Sequence, residues 1–407
     1  MGSMMKKNRL FSALLLISLV ALLSACATVG VHGQEHKPLP VNHGTGETDV
    51  SANKPADVAE AMEVLDMSRQ TSLDDISNVL LEKRVIFVGE THDNYAHHLK
   101  QLEVIEQIHR GHTDIAIGME MFQRPFQQTL DAYISGDLDE QEFLRKSEWF
   151  ERWRYDYRLY RPIIQYAREN GIPLVALNAS AEIKKRVSEV GFAGLTPEEQ
   201  SDVPSEIDRS DAVYIERLRN VFQQHPVSSK HDFDRFLDVQ LLWDETMAET
   251  ASLYLQAHPE RKMVVLAGSG HLMYGSGIPQ RVERRLGEAG VVVLPEANIT
   301  VEPGVADFVL FPKMQALPKN GLLGIYMDNA EKGVLVSELS PEGAAAVAGL
   351  KKGDILIELN DKPVTVTSDV RIELMGKTPG TPVRVKVQRK KLLWGEEQLD
   401  FVFDLGE

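Results

Sequence analysis

Five largely apolar runs between residues 84 and 296 constrain the fold of this chain more than any other feature. Each run is continuously apolar and does not alternate with polar residues, which is typical of strands covered on both faces, as in a parallel sheet. The pattern predicts an α/β domain over residues 73–300, with a doubly wound, mainly parallel sheet and a helical insertion after the third strand. The predicted strands are RVIFVG, DIAIGMEM, PLVALN, KMVVLAGSG and VVVLPE.

Helical segments are expected between these strands. Asp93 is the expected N-cap of a helix that continues to about Arg110. The excursion over residues 180–257 is longer than a simple crossover requires, and such excursions often form a lid or an interface with a second subunit. Further helices are predicted at residues 156–170, 210–224 and 233–257.

Side chains capable of chemistry follow the predicted strands where each strand ends. Because ligands of open α/β sheets bind outside the carboxyl ends of the strands, we expect these side chains to form one site. Three chemistries remain open: a divalent metal centre, a Glu–His pair that acts as general base on water, and a cavity in which His or Tyr ligates haem iron. The catalytic candidates are Glu90, His92, Glu120 and His271, and the metal-ligand candidates are His92, His271 and Glu90.

The N-terminus has the pattern of a lipoprotein signal peptide over residues 1–25. Basic residues precede an apolar run at 10–23 that is short for a membrane span. The following LSAC resembles a bacterial lipobox, which implies cleavage before Cys26, the only cysteine, and lipidation there. Several acyl chains anchor a protein stably, so we expect a periplasm-facing lipoprotein of the cell envelope. Ala27 favours the outer membrane by analogy with Gram-negative lipoproteins.

Residues 26–72 have the composition of a flexible tether, with few large apolar side chains. The whole chain has 44 basic and 60 acidic residues, a net charge of −16, and no basic block. This balance argues against a nucleic-acid partner.

The pattern changes after residue 300, where short strands, glycines and prolines take over. The run SPEGAAAVAGLKKGDILIELN resembles a PDZ domain of the bacterial periplasmic type, which we assign to residues 301–407. The resemblance implies that backbone N–H groups of one loop capture the C-terminal carboxylate of a partner protein, whose peptide adds as a strand. An alternative is a PDZ-like fold used only for packing within the chain. The loop consists of Gly321, Leu322, Leu323, Gly324 and Ile325.

Five blocks between residues 73 and 296 resemble the ChaN family of haem-binding lipoproteins, which belongs with the Tiki and TraB proteins. The resemblance implies haem held by a tyrosine, with dimerisation around it. Tiki-type relatives instead imply a metal-dependent protease, and esterase relatives imply a Glu–His pair that activates water. The family's GExH pattern falls on Glu90 and His92, and its second histidine on His271. The blocks are VGETHDNYAHH, GMEMFQRPFQQTLDAYISG, YRPIIQYARENGIPLVALN, FLDVQLLWDETMAE and VVLAGSGHLMYGSGIPQR.

Several side chains are candidates to hold the haem that the resemblance implies. Tyr214 is favoured as the iron ligand because a helix of the insertion can reach over the strand edge, and Tyr157 and Tyr160 are alternatives. His97 and Arg124 are further cofactor-binding candidates, since both closely follow strand ends. An aromatic wall for a porphyrin, with cations for its propionates, is expected from Trp149, Trp153, Tyr155, Tyr157, Arg152, Arg154, Arg158 and Arg161.

These features lead to three functional expectations. The first is a lipid-anchored haem-binding protein of haem or iron uptake, whose PDZ module docks a partner's C-terminus. The second is a metal-dependent or Glu–His hydrolase of peptides or esters, which the PDZ resemblance favours because such modules commonly accompany periplasmic proteases. The third is a scaffold in which the PDZ module carries the function.

Overall fold

The computed structural model describes residues 70–224, 230–297, 299–391 and 395–407. The predicted signal peptide, Cys26 and nearly all of the predicted tether lie outside the described residues. The described residues form a parallel six-stranded sheet with helices, followed by an antiparallel six-stranded sheet. This is the fold class that the sequence predicts.

The first domain orders its parallel strands as β3-β2-β4-β1-β5-β6. Its strands are β1 (Val85–Glu90), β2 (Ile115–Gln123), β3 (Leu174–Asn178), β4 (Lys262–Gly268), β5 (Val291–Pro295) and β6 (Phe308–Leu310). Its helices are α1 (Leu73–Glu82), α2 (Tyr95–Gly111), α3 (Gln127–Ser135), α4 (Glu140–Lys146), α5 (Trp149–Arg152), α6 (Arg161–Glu169), α7 (Ala181–Val190), α8 (Pro197–Gln200), α9 (Ala212–Gln223), α10 (Lys230–Ala257) and α11 (Ile278–Leu286).

Both faces of this sheet are buried. Along β1, Ile86 and Val88 belong to the apolar core that includes α2 and α6, whereas Phe87 belongs to the core that includes α10 and α11. Because successive side chains of a strand point to opposite faces, a strand covered on both faces must be apolar throughout. This explains why the apolar runs are continuous, and all five predicted strands are confirmed.

Three local expectations differ from the structure. Helix α2 starts after Asn94, whose side chain accepts the N–H of Ala96, so the prediction of Asp93 as its N-cap was wrong. The helix predicted at 156–170 is a 3-10 turn (Tyr157–Leu159) followed by α6, since Pro162 lacks the N–H that a continuous helix would need there. Strand β6 pairs with β5, so the sheet extends past the predicted boundary at residue 300.

The second domain has the strand order β12-β11-β9-β8-β7, with β10 paired to β9. Its core includes Val334, Val336, Leu356 and Val385, all fully buried. The strands are β7 (Ile325–Ala330), β8 (Gly333–Leu339), β9 (Ile355–Leu359), β10 (Lys362–Pro363), β11 (Pro382–Lys390) and β12 (Glu396–Asp404). The helices are α12 (Ala344–Ala348) and α13 (Thr367–Leu374).

Helix α13 joins the two domains. Ile372 is 1% exposed and lies in the apolar core of the α/β domain, although it belongs to the second domain. Asp369 forms an ion pair with Arg145 of α4 at 3.0 Å. Lys362, on the neighbouring β10, donates to the side chain of Gln141 at 3.1 Å. Helix α13 therefore holds the second domain against α4.

No helix within the described ranges combines the length and the apolar character needed to cross a bilayer.

Candidate functional site

Two buried histidines at the carboxyl edge of the sheet are each oriented by a carboxylate. His92 follows β1 and forms a hydrogen bond through Nδ1 to Glu90. His271 follows β4 in a 3-10 turn, and its Nδ1 donates to Asp244 of α10 at 2.5 Å. Contacts of this kind fix the ring and leave Nε2 for a ligand, as they do for histidines that bind metals in other proteins.

Glu120 lies between the two histidines, in β2, one residue after Met119, the last residue of that strand paired with β4. Its Oε1 is 3.6 Å from Nε2 of His271, and its Oε2 accepts the N–H of Gly268 at 2.7 Å. A Cβ on Gly268 would lie 3.0 Å from Cε1 of His92. Any residue other than glycine at position 268 would therefore force the imidazole to shift. The parallel register of β1, β2 and β4 therefore brings the three strand ends together as predicted.

These donors fit a divalent cation. Glu90, His92 and Glu120 each offer a ligand atom, and the three atoms lie within 4.8 Å of one another. Oε2 of Glu90 is buried and has no hydrogen-bond partner among the described residues, a costly state that a cation would relieve. Imidazole together with carboxylate suits zinc, manganese or iron(II).

The carboxylates also control protonation at the site. Burial alone would lower the pKa of both histidines, but the charges of Glu90 and Glu120 raise the pKa of His92 to about 9. Asp244 and Glu120 raise the pKa of His271 to about 9 in the same way. Burial would raise the pKa of Glu90, yet the nearby His92 lowers it. Without a metal the site therefore holds imidazolium–carboxylate pairs, and a metal would displace protons from them.

The two tyrosines predicted to bind a cofactor both lie at the site and are both buried. The hydroxyl of Tyr214 donates to Asp244 Oδ2 at 2.5 Å, so Asp244 links this phenol to His271. The hydroxyl of Tyr160 lies 3.5 Å from Glu90 Oε1 and 3.3 Å from the carbonyl of His92. Burial raises the pKa of both phenols well above its usual value.

Tyr274 is a more accessible phenol near the same strand edge, three residues after His271. It is 38% exposed, and the guanidinium of Arg217 lies 4.8 Å from its ring centre. Its φ of +62° is unusual for a residue other than glycine, and its N–H donates to the carbonyl of Val305 at 2.8 Å. Such backbone conformations persist only where the surroundings impose them.

The remaining cofactor-binding candidates have partners elsewhere. His97 accepts the N–H of Thr91 at Nδ1, and burial lowers its pKa to about 4, so the ring is neutral. It is His98 rather than His97 that faces Glu90, with Nε2 3.8 Å from Oε2. Arg124 pairs with Glu249 of α10 at 2.8 Å.

The predicted aromatic wall divides into two parts. Trp153 and Tyr155 are half-buried, with ring centres 4.9 and 5.1 Å from that of His92. Trp149 and Tyr157 are fully buried in the core behind them. The ring centre of Trp243, on α10, lies 6.1 Å from that of His271. The sequence prediction did not assign Trp243 to the site.

Three of the four arginines predicted to face haem propionates pair with carboxylates of the chain instead. Arg152 pairs with Glu148 and Glu182, Arg158 with Asp156, and Arg161 with Glu140. Arg154 has no carboxylate at ion-pair distance within the part of the chain that the structure describes.

Asp244 and Trp243 are the main site residues without a role in the sequence prediction. Both lie in the middle of α10, 28 residues long, and reach the strand edge from the insertion. Their block, FLDVQLLWDETMAE, carries the family resemblance, but a helical pattern does not indicate which face meets a histidine far along the chain.

The PDZ-like loop presents free backbone donors. The N–H groups of Leu323 and Gly324 have no acceptor among the residues described, while the carbonyl of Leu323 accepts from Ala345 at 2.9 Å. Gly324 has a φ of +75°, which favours glycine. Strand β7 follows at the edge of its sheet, so a peptide strand can add beside it.

Comparison with known families and structures agrees with this geometry. The profile of the family described as haem-binding uptake, Tiki superfamily, ChaN matches residues 76–282, just over half of the chain. A PDZ-domain profile matches residues 321–394. A solved structure of ChaN of Campylobacter jejuni, with cofacial haem binding, covers 60% of this chain and 93% of that chain, with a TM-score of 0.50 and 19% identity, and shows the same fold.

Curated relatives match parts of the chain. Protein RETICULATA-RELATED 5, chloroplastic, of Arabidopsis thaliana is 23% identical over 273 residues, which are 59% of this chain. The periplasmic pH-dependent serine endoprotease DegQ of Escherichia coli is 34% identical over 83 residues, 17% of this chain. The chain spans 36% of the first relative and 18% of the second, so each comparison concerns only a part of the relative.

Proposed function

The chain belongs to the ChaN family of haem-binding uptake proteins in the Tiki superfamily, and from this premise we propose that it binds haem at the carboxyl edge of its parallel sheet, in haem or iron uptake. The observation that carries the proposal is the set of half-buried rings beside the two histidines: Trp153 and Tyr155 at His92, and Trp243 at His271. A porphyrin is a broad apolar ring, and flat aromatic surfaces beside an iron ligand suit it.

The iron ligand that we propose is a phenol of this edge. Tyr214 remains the first candidate, and it would exchange its bond to Asp244 for the iron. Tyr274 is the second candidate because its ring is already accessible. The bound haem would supply redox-active iron, or would be the cargo itself.

Titration of the purified protein with haemin tests the proposal. We expect a shifted Soret band for the wild type and its loss in Tyr214→Phe or Tyr274→Phe. Tyr133→Phe is the matched control, because Tyr133 is buried and stacked on Phe143 in the core. A wild-type protein that leaves the haemin spectrum unchanged rejects the proposal.

We propose further that lipid on Cys26 anchors the protein to an envelope membrane, with its domains facing the periplasm. Cys26→Ala should then move the protein from the membrane fraction to the soluble fraction. An unchanged membrane fraction would contradict the anchor.

For the second domain we propose that it captures the C-terminus of a partner protein. The free N–H groups of Leu323 and Gly324 support this, because they can bind a terminal carboxylate. A peptide with a free C-terminus should bind, and the same peptide with an amidated C-terminus should not. Equal binding of the two peptides would contradict carboxylate capture.

One specific arrangement favours a second candidate function, metal-dependent hydrolysis of peptides or esters. Glu90, His92 and Glu120 would hold the metal, while Asp244 orients the neighbouring His271. The metal would activate a water for attack on a carbonyl. Hydrolysis that depends on added zinc or manganese and disappears in Glu120→Gln would support this candidate, and no hydrolysis with any divalent metal would reject it.

A further inference from the structure

Strand β7 is an open edge of the second sheet, and its side chains alternate between two different surroundings. It is the last strand in the order β12-β11-β9-β8-β7, so its outer edge is free for a peptide strand. Ile325 and Met327 point inward and pack against the core of the second domain. Tyr326 and Asp328 point outward and are exposed. A peptide that pairs with β7 therefore has an inner and an outer set of side chains.

The carboxylate loop sets the register of such a peptide. A terminal carboxylate bound by the N–H groups of Leu323 and Gly324 places the last peptide residue beside Ile325, at the start of β7. The peptide then runs antiparallel to β7, with its penultimate residue beside Tyr326 and its fourth-last residue beside Asp328. Since paired residues share one face of a sheet, the side chains of these two peptide residues lie on the outer face.

The outer face beside the peptide carries an aromatic ring and two carboxylates. Tyr326 is 65% exposed and pairs across the sheet with the exposed Glu338 of β8. An uncovered ring on an edge strand favours unwanted association, whereas a cation held against the ring is attracted by its π electrons. A long basic side chain at the penultimate position can cover the ring with its charge directed toward Glu338. A basic side chain at the fourth-last position forms an oppositely charged cross-strand pair with Asp328.

The inner side of the same groove carries a positive charge instead. Helix α13 lines this side, because the N–H of Thr367 donates to Oδ1 of Asn329 in β7 at 2.8 Å and Val370 packs in the core of the second domain. Arg371 is exposed and, four residues after Thr367, lies on the same side of the helix. The third-last peptide residue, beside Met327, points toward this side of α13. A basic residue is therefore favoured on the outer face and disfavoured on the inner one.

We propose that the second domain selects C-termini with basic side chains at the penultimate and fourth-last positions, which bind Tyr326, Glu338 and Asp328 on the outer face. The inference deepens the capture of a C-terminus proposed above and rests on it for the register of the peptide. The partner is thus a protein whose chain ends in alternating basic residues before an apolar last residue. That last residue is apolar because its side chain points inward, beside Ile325.

Four peptides of equal length, each with the same N-terminal fluorophore, test the selection by fluorescence anisotropy with the full chain. The outward peptide, Ser-Ser-Gly-Lys-Ser-Lys-Val, has lysine at the two selected positions. The inward peptide, Ser-Gly-Lys-Ser-Lys-Ser-Val, has the same composition, but each lysine is shifted by one residue. The neutral peptide, Ser-Ser-Gly-Ser-Ser-Ser-Val, has no lysine. The fourth peptide is the outward peptide with an amidated C-terminus.

We expect the outward peptide to bind about fivefold more tightly than the neutral peptide, because it gains two cross-strand contacts with the outer face. The inward peptide should bind no more tightly than the neutral one, since its lysines point toward α13. A chain with a net charge of −16 attracts any basic peptide. The comparison of the outward and inward peptides removes this general attraction, because the two carry the same charge.

Charge substitutions on the outer face test the same contacts from the side of the protein. The test variant is Asp328→Asn with Glu338→Gln, which should reduce the preference for the outward over the neutral peptide to less than about twofold. The matched control is Asp400→Asn with Glu396→Gln, which removes the same charge from β12 at the opposite end of the strand order. The control should keep the full preference. All four positions are exposed, and unchanged melting by circular dichroism would confirm that both variants are folded.

The outcomes separate the selection from carboxylate capture. If the outward peptide binds no more tightly than the inward or the neutral peptide, the selection is rejected, and capture still stands if amidation abolishes binding. If the amidated outward peptide binds as tightly as the free acid, and both bind more tightly than the inward peptide, the selection stands and carboxylate capture fails. Equal preferences in the test and control variants also reject the selection. Binding of none of the four peptides overturns both proposals.

Discussion

Asp244 accepts hydrogen bonds from two groups of the site, the hydroxyl of Tyr214 and Nδ1 of His271. A single carboxylate thus fixes both a candidate iron ligand and a candidate metal ligand. Glu90 has a comparable position between His92 and Tyr160. The two halves of the site therefore share one design, in which a buried acid orients one imidazole and faces one phenol.

This design predicts a pH-dependent effect of Asp244→Asn in the metal-free protein. His271 has a pKa of about 9 in the folded state, above the ordinary value of about 6.5. A raised histidine pKa stabilises the fold below pH ~6.5, and this contribution is lost as the pH rises toward 9. The substitution removes a charge that raises the pKa, so it should destabilise the protein more at pH 6 than at pH 9.

Urea unfolding at the two pH values measures this difference. At pH 6 we expect a loss of up to about 3–5 kcal/mol in the free energy of unfolding, as for other broken buried pairs. The NMR titration of His271 should show a lower pKa in the variant. Equal destabilisation at both pH values would contradict the assignment.

Gly268→Ala should weaken metal binding while leaving the fold intact. The backbone of Gly268 has a φ of −55°, which alanine can adopt, but the added Cβ would lie 3.0 Å from His92. The imidazole must then shift by a few tenths of an ångström, and we expect divalent-metal affinity to fall about tenfold. Calorimetric titration with zinc measures the change. Gly406→Ala, whose Cβ would make only ordinary contacts, is the control, and an equal effect of both substitutions would contradict the prediction.

At the scale of elements, α10 and α11 are held together by a buried carboxylate. Glu245 of α10 is fully buried and forms ion pairs with three arginines of α11, which are Arg281, Arg284 and Arg285. Residues three and four apart lie on one helix face, so one acid can meet all three. This contact positions α10, and with it Asp244, against the strand edge.

Glu245→Gln should therefore be strongly destabilising. It leaves Arg281, which is 2% exposed, without its carboxylate, and we expect a loss of about 3–5 kcal/mol in the free energy of unfolding. Arg284→Gln removes a partner that is 30% exposed, and should cost about 1 kcal/mol or less. Chemical denaturation compares the two variants. Similar losses would show that burial does not govern this network.

The site residues at the strand ends could be predicted from the sequence, but the site residue that helix α10 contributes could not. Glu90, Glu120 and His271 follow continuous apolar runs, and parallel strands bring their carboxyl ends to one edge. Asp244 occupies one position in a helix of 28 residues, and its contact with His271 depends on how α10 packs on the sheet. Arg154 and Arg161 look alike in sequence, because Arg161 pairs with Glu140, which lies 21 residues away in the chain.

At the scale of the whole molecule, the two domains share part of an apolar core. Both domains could be predicted from the sequence, but their contact could not. An apolar residue such as Ile372 would be equally expected in the core of its own domain. In the structure Val370 packs in the PDZ-like core, whereas Ile372 packs in the α/β core. Helix α13 is thus buried on two sides, which distinguishes this arrangement from domains joined only by a linker.

Ile372→Asp should release the second domain from the first. A carboxylate in an apolar contact has no partner there. The ion pair of Asp369 with Arg145 and the hydrogen bond of Lys362 with Gln141 are too weak at an exposed surface to hold the domains together. NMR relaxation should give one rotational correlation time for both domains of the wild type and two different times for the variant. Val370→Ala is the control, since it removes methyl groups from the PDZ-like core and should lower stability by about 1–3 kcal/mol while both domains still tumble together. A single correlation time in Ile372→Asp would show that contacts other than α13 hold the domains together.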